Sequence, residues 1–66
     1  MDCLNVYRLK FCVEFSDNPD VLFVEYYAVN KDILLAMEST REILAKAFPS
    51  GLIYPIEEDC ALLEKV

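Results

Sequence analysis

Val21-Leu22-Phe23-Val24-Glu25-Tyr26-Tyr27-Ala28-Val29 reads as a β-strand that is apolar on both sides. Side chains alternate across a strand, so Leu22, Val24, Tyr26 and Ala28 face one way. Val21, Phe23, Tyr27 and Val29 face the other way, interrupted only by Glu25. One amphipathic helix can hide one of these faces. The second needs the C-terminal segment or another molecule.

The neighbouring segments predict how the first face is hidden. From Tyr7 to Phe15 the odd positions are Tyr7, Leu9, Phe11, Val13 and Phe15, and the even ones are Arg8, Lys10, Cys12 and Glu14. That alternation predicts a strand with one core face and one wet face. Leu4 and Val6 have the opposite parity, which implies either a start at Tyr7 or a bulge that re-phases the strand. Ser16-Asp17-Asn18-Pro19-Asp20 is dense in turn formers, so the two strands make a hairpin. Placing Phe15 near Asp20 pairs Val13 with Leu22, Phe11 with Val24 and Leu9 with Tyr26. Lys10 then faces Glu25 and Arg8 faces Tyr27, setting opposite charges together and a cation beside a ring.

Asn30 suits a helix N-cap, and a helix is predicted from Lys31 to about Phe48. Ile33, Ala36, Met37, Thr40, Ile43, Leu44, Ala47 and Phe48 share one stripe, with Asp32, Glu38, Ser39, Glu42 and Lys46 opposite. Leu35 projects from that polar face, either as a lone exposed leucine or as an anchor for a contact. Pro49 stops the helix, Gly51 allows the reversal, and Leu52 to Tyr54 read as a short third strand. Beyond Pro55 two readings compete. Glu57, Glu58 and Asp59 suit a first helical turn, with Ile56, Cys60 and Leu63 as its stripe; this is the favoured reading. The other extends the strand to Ile56, turns at Glu57–Asp59 and ends in an edge strand from Leu62 to Val66.

The expected fold is therefore a single α+β domain: an antiparallel hairpin, one long helix on one sheet face, a short third strand, and a C-terminal helical turn or edge strand. Tyr7, Leu9, Phe11, Val13, Leu22, Val24, Tyr26, Ile33, Met37, Leu44 and Phe48 are its expected core. With 66 residues and 56% apolar composition, such a domain has apolar surface left over after folding.

Little in the chain suits catalysis. It has no His, the usual general base near neutral pH, and a single Gly, too few for a phosphate-cradling loop. Cys3, Cys12 and Cys60 are odd in number and form no Cys-x-x-Cys pair, so free thiols in a reducing cytosol are expected, with no zinc site. Cys12 lies on the wet parity between Lys10 and Glu14, an unexceptional setting for a thiol. Glu57-Glu58-Asp59 reads as a solvated cap in preference to a cation site. The opening Met-Asp-Cys-Leu lacks a basic n-region and a long apolar run, so neither a signal peptide nor a membrane span is expected. Asp2 stands where N-myristoylation requires glycine. No enzyme, cofactor or metal is expected.

The formal charge of −6 disfavours nucleic-acid backbones and anionic membranes and favours a basic protein partner. The leading expectation is a non-catalytic acidic protein-binding module. By analogy of class it is a small regulator or inhibitor of the kind carried by phages and mobile elements, anti-CRISPR proteins included. Its contact residues would be Val21, Phe23, Tyr27, Val29, Arg8, Lys10 and Leu35. The alternative is a self-associating homodimer, through the same patch or an open sheet edge. A sheet-face nucleic-acid binder, with Arg8 and Lys10 beside Phe23 and Tyr27, is disfavoured by the charge.

Overall fold

The computed structural model describes residues 3–65; the readings that involve Asp2 and Val66 lie outside them. The elements run β1 (Asn5–Phe15), β2 (Asn18–Asn30), α1 (Ile33–Ala47), β3 (Gly51–Pro55), a three-residue 3-10 turn (Glu57–Asp59) and β4 (Ala61–Lys65). This is the expected α+β architecture: an antiparallel sheet of 4 strands with one helix packed on it. β1 is the hub. It pairs with β2 along one edge and with β3 and β4, end to end, along the other.

The hairpin register follows the expected pairs: Val13 with Leu22, Phe11 with Val24, Leu9 with Tyr26, Lys10 with Glu25 and Arg8 with Tyr27. The turn itself is tighter than expected. Phe15 pairs with Asn18, so only Ser16 and Asp17 form the loop, and the surplus residues sit in a β2 bulge containing Pro19. A bulge on an edge strand tolerates a residue with no N–H to donate. Asn18 Oδ1 accepts the Asp20 N–H at 3.0 Å and braces that bulge. β1 begins at Asn5, before the expected Tyr7, and keeps one register with β2 from Asn5 to Val13, so half-buried Val6 belongs to the wet side beside Val29. A register shift between Val6 and Tyr7 does occur, but only in the pairing with β4.

α1 crosses the other side of the sheet. Its cap is Asp32, whose side chain accepts the Leu34 N–H at 3.1 Å, and not Asn30. Asn30 still belongs to β2, paired with Asn5, and its side chain takes the adjacent Lys31 N–H. The chain needs the two residues after β2 to bend before the helix can begin. Ala36 and Leu44 are buried against Tyr7, Leu9 and Phe11, with Ile33, Met37, Phe48, Val24, Ala28, Ile53 and Cys60 packed around them, and Thr40 is buried on the same helix. Ile43 and Ala47, expected on the buried stripe, are exposed.

The helix starts beside the end of β2 and finishes beside the start of β3, so it lies diagonally across the sheet. Its 15 residues span about 22 Å at 1.5 Å each. Two opposite corners of the inner face stay uncovered: Leu22 near the hairpin and Leu62 on β4, both exposed. Leu22 therefore leaves the expected core for want of helix above it.

Gly51 has no positive φ, so it is not there for a left-handed turn. Its role is proximity: a Cβ at this position would stand 2.6 Å from Val13 Cγ1. Beyond Pro55 the favoured helix does not form. One 3-10 turn carries the three acids, and the chain returns to β1 as β4, with Tyr7 opposite Leu62 and Arg8 opposite Ala61. The free edge at the start of β1 offers a row of backbone hydrogen bonds, and these outweigh local helical preference.

Where β3 and β4 part, the Cys60 thiol fills the break. The Lys10 N–H donates to Cys60 Sγ at 3.4 Å, the thiol donates to Ile56 O at 3.3 Å, and the Ile56 N–H donates to Lys10 O at 2.8 Å.

Candidate partner-binding face

The even residues of β1 and the odd residues of β2 point away from α1. Across the strands they form rows: Val29–Val6–Glu64, Tyr27–Arg8–Ala61, Glu25–Lys10, Phe23–Cys12–Tyr54, and Glu14–Leu52. Because the C-terminal segment is a strand in the sheet plane and not a helix across it, no described element covers these rows. Phe23 is 56% exposed, Tyr27 61%, Val29 60% and Leu52 64%. Large apolar side chains this open on one continuous face are unusual for a monomer's surface.

The molecule's dimensions agree. The Cα framework measures 46 × 21 × 13 Å, long and thin. Its radius of gyration is 12.8 Å, against about 11 Å for a compact chain of this length. The accessible surface of 4786 Å² also exceeds the roughly 4,300 Å² that scaling with mass gives for a folded monomer.

The charges at the centre of this face have partners within it. Arg8 Nε lies 3.7 Å from Glu25 Oε1, diagonal to the expected Lys10–Glu25 contact. The Lys10 ammonium lies over the Phe23 ring, 5.9 Å from its centroid, so the cation–ring contact is also shifted along the strand. Tyr54 donates its phenol hydrogen to Glu14 Oε1 at 2.8 Å. Hydrogen bonding with Cys12, and then with Glu14, holds that phenol well above its ordinary pKa. Cys12, expected to be wet, is only 4% exposed. Its parity is the outward one, but Phe23 and Tyr54 flank it across both neighbouring strands and close over the small thiol.

Of the residues expected to contact a partner, the fold brings together Val21, Phe23, Tyr27, Val29, Arg8 and Lys10. Leu35 stands apart: it is exposed on α1, in the other layer. Cys12 lies on this face as its parity predicts, and Leu52, Tyr54 and Val6 join it beyond the sequence expectation. The parity of Leu52 and Tyr54 was readable, but which side they share depends on the β1–β3 register, which no local pattern reveals.

A concavity of about 280 Å³ lies on the helix side between α1 and the β3 end, lined by Phe11, Leu34, Met37, Glu38, Arg41, Pro55 and Glu57. Among the described residues no three His, Cys, Asp or Glu side chains converge as a metal site. No helix among them is long and apolar enough to cross a membrane.

Compared with known proteins, the chain matches no family model, no curated protein and no solved structure.

Proposed function

We propose that this chain is a non-catalytic, acidic protein-binding module, a small regulator or inhibitor whose contact surface is the outer sheet face. The observation that carries the reading is the exposure of Phe23, Tyr27, Val29 and Leu52 on a face that no described element covers. Aromatic anchors in a patch of this kind supply most of the energy of protein recognition. Two acids of the face are already engaged, Glu14 by Tyr54 and Glu25 by Arg8, and Glu64 lies at its rim, so desolvating the centre leaves fewer unpartnered charges. A reducing compartment such as the cytosol suits Cys60, whose thiol works in its reduced form as both acceptor and donor.

Affinity capture from the native cell tests the reading, with three baits: the parent chain, Phe23→Glu with Tyr27→Glu, and Leu35→Glu. A protein held by the first and third but lost from the second supports it. A capture profile shared by all three overturns it.

A further inference from the structure

We infer that the occupant of the outer face is a second copy of this chain, laid face to face across a two-fold axis to make a β-sandwich with a helix on each outside. This rests on the reading above and names its partner. An isologous interface requires a surface complementary to itself. The outward stripe of β2 has that property, because Val21, Phe23, Glu25, Tyr27 and Val29 are palindromic in character about Glu25. Let the axis lie between the sheets and cross the strands at the Glu25–Lys10 row. Phe23 of each copy then sits over Tyr27 of the other, and Val21 over Val29. Packed sheets meet at about 30°, which lets such rings interlock off-centre.

Charge favours a copy over a strongly basic protein. The waist of the face carries Arg8 and Lys10 against Glu14 and Glu25, two of each sign, with Glu64 at the rim. Most of the excess acid lies elsewhere: Asp17 and Asp20 by the hairpin turn, Asp32, Glu38 and Glu42 on the helix side, and Glu57, Glu58 and Asp59 in the 3-10 turn. A nearly neutral face can meet itself: about this axis Glu25 faces Glu25 and Lys10 faces Lys10, and each has the other copy's opposite charge about one strand spacing to the side, roughly 5 Å, whereas a basic surface would meet Arg8 and Lys10 at its centre.

The area reaches the threshold only with side-chain relief. Eleven residues of β1 span about 37 Å and three strand widths about 14 Å, or roughly 500 Å² in plan on each copy. Crossing at about 30° trims the overlap to roughly 700 Å² for the pair in plan, and side-chain relief brings it to about the 1,000 Å² at which specific interfaces begin.

Sedimentation velocity of the intact chain over a concentration series, in low and in near-physiological salt, tests this. The expected result is reversible passage from 7.6 kDa to twice that mass. Association should tighten with salt, because two chains of charge −6 repel until screened. Leu52→Glu, on the face but across the sheet from β2, should weaken association by about tenfold or more, as should Phe23→Glu. Circular dichroism verifies that each variant folds, and Leu52→Glu decides if Phe23→Glu does not. A chain that stays monomeric at every concentration overturns the inference while leaving an open face for another protein. A dimer that weakens with salt overturns it. So does one that ignores Leu52→Glu but is lost with Phe23→Glu, which would put the contact at the free edge of β2.

Discussion

Replacing Gly51 with alanine probes the seam that binds β3 to the rest of the sheet. The added Cβ would stand 2.6 Å from Val13 Cγ1, 3.3 Å from Phe15 Cε1 and 3.4 Å from Phe48 O. Carbons in good contact sit about 3.5–4.0 Å apart, so Val13 must retreat by about 1 Å. It has nowhere easy to go: it is fully buried, and its branched Cβ restricts χ1. Overpacking of this kind costs about 1–3 kcal/mol. Against it stands the reduced freedom of alanine in the unfolded chain, which favours folding by about 0.4–1 kcal/mol when φ is not positive, as here. The clash wins, and Gly51→Ala should destabilise by about 1–2 kcal/mol. Urea unfolding followed by circular dichroism reads this as a lower midpoint with unchanged slope. Val13→Ala removes the obstructing methyls, so the two changes together should cost less than their sum. A neutral or stabilising Gly51→Ala, or strict additivity with Val13→Ala, would refute the close approach of β3 to β1.

Three further outcomes are expected. Cys60→Ala leaves the part-buried Lys10 N–H without its acceptor and should cost about 1–2 kcal/mol, while Cys60→Ser retains most of the stability; equal losses would mean that the thiol only fills space. Asp32→Ala should lower stability by about 1 kcal/mol and Asn30→Ala by clearly less, and the reverse order in thermal melts would return the cap to Asn30. Leu35→Glu should leave the unfolding midpoint within about 0.5 kcal/mol of the parent, as for a solvent-facing helix position, and a larger loss would place Leu35 in a contact.

The hairpin was legible in the sequence because its information is local. Alternation set the faces, and matching apolar and charged pairs set a register that the fold keeps residue for residue from Val13–Leu22 to Arg8–Tyr27. The helix was legible from its stripe, but its cap was misplaced by two residues, because Asn30 and Asp32 have equal chemistry for the role. Only the extension of β2 to Asn30 separates them. The acids and the Ile56–Cys60–Leu63 spacing of the C-terminal segment favour a helix. The deciding interaction was pairing with Asn5–Arg8, more than fifty residues earlier in the chain. Leu22 departs from expectation for a similar reason: it lies on the helix-facing side, but the diagonal course of the helix that leaves it exposed is a property of the whole fold. The outer face was half visible. Its β2 stripe could be read directly, whereas Leu52, Tyr54 and the closing of the sheet over Cys12 required the register of the third strand.

The most direct measurement is nuclear magnetic resonance of the unmodified chain with a soluble paramagnetic probe, at low and at high protein concentration. In dilute solution the account predicts that the rings of Phe23 and Tyr27 and the methyls of Val29 and Leu52 broaden as readily as the hairpin loop, and that concentration shields them together. Contradiction would be shielding of those groups at every dilution, to the level of Leu9 and Phe11, because the chain would then be covering the face by itself.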